Sequence, residues 1–103
     1  MKIFKDYLGS QIRLTEERRQ HILLHPEMSD MIENIEDTLL MPDYVVQSLQ
    51  DEEVTLYNKY YLTKKFGGKY LCVVVKENEN DSFIITSFLI NKIPKGKLIW
   101  QKN

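Results

Sequence analysis

The sequence predicts an α+β domain in which two N-terminal helices pack on one face of a four- to five-stranded twisted antiparallel sheet. Three observations lead there. Between residues 16 and 40, apolar side chains recur at spacings of three and four. From Tyr44 onward the pattern changes to alternation and short apolar runs. The segments between those runs are shorter than the dozen or so residues that a parallel crossover needs. Helices first and strands afterwards make α+β, with the helices on one side of the sheet.

The elements follow in order. Residues 3–8, IFKDYL, suit a short strand, Gly9-Ser10 a turn, and Ile12-Arg13-Leu14 a brief extended entry. Thr15 then caps a first helix of about Glu16 to Leu24, and Glu16 and Glu17 favour its positive end. Pro26 ends it by driving His25 out of helical angles. A second helix runs from about Met28 to Leu40, possible from Pro26 on, with Met28, Met31, Ile32, Ile35, Leu39 and Leu40 as its sheet-facing stripe. Met41-Pro42-Asp43 stops it. The strands are Tyr44 to Ser48, Val54 to Tyr61, Tyr70 to Lys76, Phe83 to Ile90 and Lys97 to Gln101. YLCVVVK and FIITSFLI are nearly unbroken apolar runs, which suits central strands covered on both faces. Gly67-Gly68 and ENEND mark the hairpin turns.

With 103 residues the chain is one domain, 1–103, and supports one core. At 43% hydrophobic and 28% charged it belongs with ordinary globular domains rather than disordered chains. Charges interrupt MKIFKDYLGSQIR, so no signal peptide is expected, and no apolar run reaches the roughly 18 residues of a membrane span. The single cysteine, Cys72, has no disulfide partner, and a reducing, cytoplasmic setting is expected. Charge is uneven. Residues 15–41 carry two arginines against seven acids, a net of −5, and residues 62–103 carry eight lysines against three acids, a net of +5. A basic sheet suits phosphates; the two halves also suit each other.

Arg18, His21 and His25 are spaced by three and four, and line one helix face if the helix persists. Imidazole titrates near neutrality, so a pair can remove one proton and supply another. Arginine can hold a phosphate bidentately. Base, acid and cation are what cleavage of an RNA backbone without metal requires. A histidine near a helix end also serves simply as a cap. The His-x3-His pair with Glu27 is a possible metal set, but it lacks the glutamate of the zinc-protease pattern. Thr86 and Ser87 are adjacent in a strand, so one faces the helices and the other faces away. Either hydroxyl can bond within the core or donate to a phosphate. Tyr57, Lys59 and Tyr61 share a strand face, an alternation of aromatic and basic groups that suits bases and phosphates or an exposed solvated strand. Lys64, Lys65 and Lys69 flank the glycine turn. No cofactor is expected, since no phosphate-cradling glycine loop, nucleophile elbow or dinucleotide fingerprint occurs.

The phrases RLTEERRQHILLHPEM, TLLMPDYVV, VTLYNKYY, KYLCVVVK, FIITSFLI and KGKLIW, from about Leu14 to Trp100, resemble the phage-associated branch of the barnase–EndoU–colicin–RelE-like nuclease superfamily. The strongest parts are HI-x-x-HPE at His21 to Glu27 and Thr86-Ser87-Phe88. The resemblance implies the helix-then-sheet layout and a metal-independent ribonuclease, often a toxin of phages or mobile elements. It carries a helix histidine onto His21, with His25 beside it, and a strand hydroxyl onto Thr86, with Ser87 as neighbour. A basic or aromatic position falls at Tyr57 or Lys59, and an aromatic of the last strand at Trp100. The chain departs from free-standing toxins of this type in being slightly acidic, with a net charge of −1.

The leading expectation is an endoribonuclease that makes a 2′,3′-cyclic phosphate. His21 is the base, His25 or Tyr57 the acid, and Lys59 a source of charge. Thr86 bonds the phosphate, while Arg18, Ser87, Lys69 and Trp100 contact RNA. The alternatives are a non-catalytic module that binds RNA or a protein partner such as an inhibitor or antitoxin, and a metal-dependent hydrolase using the two histidines.

Overall fold

The computed structural model describes all 103 residues. The chain begins with a hairpin, β1 (Lys2–Lys5) and β2 (Gln11–Leu14), paired antiparallel with Lys2 opposite Leu14. Asp6 builds its turn. Its Oδ1 accepts from Leu8 N at 3.0 Å and Ser10 N at 2.9 Å, while Gly9 takes φ 84°, a region that favours glycine.

Helix α1 (Glu16–Ile22) starts at Thr15, whose Oγ1 accepts from Arg18 N at 3.1 Å. The expected second helix is two pieces. A 3₁₀ turn covers Pro26–Ser29, and α2 covers Asn34–Leu40. Between them the backbone closes i→i−3 bonds, Met31 N to Met28 O at 3.1 Å and Asn34 N to Met31 O at 2.9 Å. This tighter winding aligns residues three apart, so Met28 and Met31 both reach the core. In α2, Ile35, Thr38 and Leu39 are buried, and the Thr38 hydroxyl donates to Asn34 O at 2.8 Å.

The remaining strands are β3 (Tyr44–Gln47), β4 (Val54–Thr63), β5 (Gly67–Glu77), β6 (Ser82–Ile90) and β7 (Lys97–Gln101). All seven strands form one sheet in the order β1-β2-β6-β5-β4-β3-β7. This overturns the expected pair of helices on a four- to five-stranded antiparallel sheet: the fold is mostly sheet. It is also mixed, because β2 runs parallel to β6 through Arg13 and Phe83. Both errors come from non-local pairing. Sixty-eight residues separate Arg13 from Asp81, whose carboxylate binds its guanidinium at 2.9 and 2.7 Å, so no hairpin signal announces the neighbour. Likewise β7 pairs with β3 at the far edge rather than with β6, its neighbour in sequence.

The core lies between the helices and one sheet face. Ile22, Met28, Ile35 and Leu39 meet Val45, Tyr57, Leu71, Val73, Val75 and Ile84. Helix α1 and the 3₁₀ turn pack on β6, and α2 packs on β4 and β5. The sheet curls enough for Tyr7, at the tip of the first hairpin, to reach Tyr57 and Trp100, with ring centroids 6.1 and 5.1 Å away. No helix is long and apolar enough to cross a membrane.

Candidate active site

Helix α1 and strand β6 build the site. The α-helix closes with Leu23 N donating to Arg19 O at 3.0 Å, and His25 then takes φ −80° and ψ 112°. That extended geometry is what Pro26 imposes on its predecessor. His25 next caps the 3₁₀ turn, its carbonyl accepting from Met28 N at 2.9 Å. Ile22, fully buried, anchors the helix while His21 stays exposed. The two imidazoles stand 6.5 Å apart, nearly perpendicular at 86°. The His25 ring also meets the Phe88 ring, at 6.3 Å and 68°.

A bulge decides what β6 offers them. Val74 is opposite Thr86 and Val75 is opposite Ile84, which leaves Ile85 as an extra residue. Ile84 and Ser87, three apart, therefore both point to the helices, and Thr86 and Phe88 point away. Strict alternation would have grouped Thr86 with Ile84 instead. Ser87 is fully buried and its hydroxyl donates to Cys72 O at 2.8 Å. The Thr86 Oγ1 is buried and has no hydrogen-bond partner. A buried hydroxyl in that state is unusual and costs roughly 1–3 kcal/mol.

Two other candidates lie near this strip. Arg18 is one turn before His21 on α1, half-buried, with no carboxylate in ion-pair range. Lys69 donates to Asn91 Oδ1 and, with Pro26, Glu27, Leu89 and Ile90, lines an open cleft of about 410 Å³ beside the His-Pro-Glu turn.

Three candidates lie elsewhere. Tyr57 is 1% exposed on the helix side of β4, and its hydroxyl lies between Asp6 Oδ2, at 2.9 Å, and Glu77 Oε1, with one proton to donate to the pair. Burial, with the two carboxylates beside it, pushes the Tyr57 phenol far above its ordinary range. Burial also raises the Glu77 carboxyl, and Asp6 adds to the rise while the Tyr57 hydrogen bond opposes it. Lys59, on the same face, pairs with Asp37 of α2 at 3.1 Å. That carboxylate also accepts from the Tyr61 hydroxyl at 3.1 Å, and burial pushes the Tyr61 phenol up to about 12. Trp100 packs on Tyr7 in β7, at the sheet edge opposite the first hairpin. The strand face expected to meet bases, Tyr57-Lys59-Tyr61, is thus the one that α2 covers. The alternation was readable; which side the helices would take was not.

The opposite face carries residues the sequence reading did not single out. Tyr44, Asn58, Cys72 and Phe88 form one row across β3, β4, β5 and β6, and Tyr60 and Tyr70 pair in the next row. The alternation that groups Tyr57, Lys59 and Tyr61 on one face of β4 also sets Asn58 and Tyr60 together on the other. No group of three or more His, Cys, Asp or Glu side chains is placed to hold a metal ion.

No curated protein and no solved structure matches the chain. One family model does, that of the phage-Barnase-EndoU-ColicinE5/D-RelE like nuclease2, over residues 1–101. That span takes in the first hairpin, both histidines, the bulged β6 and β7, so the chain belongs to this nuclease family.

Proposed function

We propose that the protein is an endoribonuclease that cleaves RNA through a 2′,3′-cyclic phosphate without a metal. The observation that carries this reading is the pair of imidazoles 6.5 Å apart, with His25 against Phe88. Neutral His21 takes the 2′-OH proton as that oxygen bonds to phosphorus. The bond from phosphorus to the 5′-oxygen breaks, and protonated His25 supplies the proton to the leaving alkoxide. Proton exchange with water then resets both rings. His25 is the acid rather than Tyr57, because the Tyr57 hydroxyl is committed to two carboxylates under the helices. Arg18 supplies countercharge. The phage part of the family description supports a toxin-like role on cellular RNA.

The test is cleavage of mixed RNA in EDTA, with the 2′,3′-cyclic end identified by mass. His21→Ala and His25→Ala are each expected to lower turnover by about 10²–10⁴, and expression of the wild type, but not of His25→Ala, is expected to arrest growth. Absence of cleavage at every pH from 5 to 9, or its loss on chelation, refutes the reading.

A further inference from the structure

The sheet face turned away from the helices has a chemistry of its own. Tyr60 and Tyr70 meet edge to face at 5.4 Å, and Tyr44 meets Tyr70 at 6.1 Å. Tyr60 is 48% exposed, and a Cβ added at Gly68 would overlap its phenol, so the ring is seated over a residue that has no side chain. Phe88 is opposite Cys72, diagonal to Tyr70, and its ring touches His25. Two ring clusters therefore share this side of the sheet, His21-His25-Phe88 and Tyr44-Tyr70-Tyr60, with Phe88 and Tyr70 on diagonal register positions between them. Only two buried side-chain atoms in the protein lack a hydrogen-bond partner, Asn58 Oδ1 and Thr86 Oγ1, and both belong to this face.

Charge agrees with this. Lys92 and Lys102 follow Ile90 and Gln101, the register partners of Tyr70 and Tyr44, and neither lysine has an ion-pair partner. Lys64 and Lys65 lie in the turn between β4 and β5, Lys65 within 3.8 Å of Asp30, while Lys69 is on the helix side opposite Tyr61. The Asp43 carboxylate accepts from Tyr60 N at 2.8 Å and is the one acid beside the three rings. At the other end of the strands Asp51 and Glu53 pair with Lys76, and Asp81 pairs with Arg13.

We infer that this tyrosine face binds two or three unpaired nucleotides of an RNA whose scissile phosphate lies at His21 and His25. From β6 to β3 the face spans three strand spacings, about 14 Å, and sheet-borne aromatics elsewhere stack two or three bases. Stacking on rings needs exposed base faces, so a paired strand is not accepted. The inference rests on the proposed cleavage for the position of the phosphate, but binding is measured without turnover.

The test is fluorescence anisotropy with a labelled six-nucleotide 2′-O-methyl RNA, which has no free 2′-hydroxyl to attack, titrated with the full chain. Tyr60→Ala and Tyr70→Ala are each expected to raise Kd at least fivefold, whereas Tyr60→Phe and Tyr70→Phe keep it within twofold. A self-complementary duplex of the same chemistry is expected to bind at least tenfold more weakly. Unchanged Kd in both alanine variants, equal loss in the phenylalanine variants, or equal affinity for the duplex overturns the inference. Wild type that binds through the tyrosines but never cleaves unmodified RNA leaves this surface standing and removes the proposed catalysis instead. Wild type that cleaves but binds independently of the tyrosines does the reverse.

Discussion

Replacing Tyr57 by Phe separates the covered face of the sheet from the histidine strip. The ring is 1% exposed and touches Tyr7, so phenylalanine keeps the packing and opens no cavity beyond the missing oxygen. What disappears is the donor to Asp6 and Glu77. One hydroxyl has one proton, so the loss amounts to one hydrogen bond to a charged group, about 2 kcal/mol within a usual range of roughly 1.5–3. For a domain of this size that lowers Tm by about 8–16 °C and the urea midpoint by about 1–2 M. The cost depends on pH, and its sign follows from Glu77. Burial raises the folded-state pKa of Glu77 above its unfolded value, so the stability linked to its protonation is full at low pH and is lost as pH rises through the folded pKa. The Tyr57 hydrogen bond lowers that pKa, and the variant therefore raises it further. Ionising Glu77 then costs more, so the gap between variant and wild type widens as pH rises. Urea unfolding at pH 4.5 and pH 7.5, with RNA cleavage per folded molecule, is the assay. A gap below about 0.5 kcal/mol at pH 7.5, a gap that narrows with pH, or a tenfold loss of specific activity refutes the reasoning. The last result would return Tyr57 to the role of catalytic acid.

Three further outcomes follow from the same structure. Ile35→Ala, at a fully buried position where α2 meets the sheet, is expected to cost about 2–5 kcal/mol by urea unfolding. Arg13→Ala removes a bidentate pair with Asp81 and a stacking contact 5.1 Å from the Phe83 centroid, but both charged side chains are partly exposed, so the expected loss by urea unfolding is smaller than that of Ile35→Ala and shrinks in high salt. Burial pushes the Cys72 thiol up to about 12, so the native protein is expected to ignore a thiol-specific disulfide reagent at pH 8 and to react fully in denaturant; rapid reaction of the folded protein would show that the sheet face is not packed as described.

Much of the local structure was legible in advance because its causes are local. Thr15 caps α1, Pro26 sets the angles of His25, and Gly67, at φ 70°, turns β4 into β5. The helical stripe of Met28, Met31, Ile35 and Leu39 and the alternation of β4 were equally plain, because periodicity records which side chains share a face. The histidine strip was legible in part for the same reason, since His21 and His25 belong to one segment. Periodicity does not record what covers a face. Whether Tyr57 or Tyr60 would meet solvent depended on where α2 settled, and that depended on the packing of Ile35 and Leu39 on β4 and β5. Strand partners separated by most of the chain were equally hidden. The parallel step from β2 to β6 enlarged the sheet, and the docking of β7 on β3 closed its far edge. The smallest hidden feature had the largest effect on the site. One extra residue, Ile85, turned Thr86 and Phe88 away from the core and toward the face that His25 borders, while Ser87 took the buried place beneath the helices. Sequence by itself determined which segments wind or extend and which side chains travel together; only the tertiary structure decided which of those sets were covered, because burial is a property of the neighbours that a segment finds.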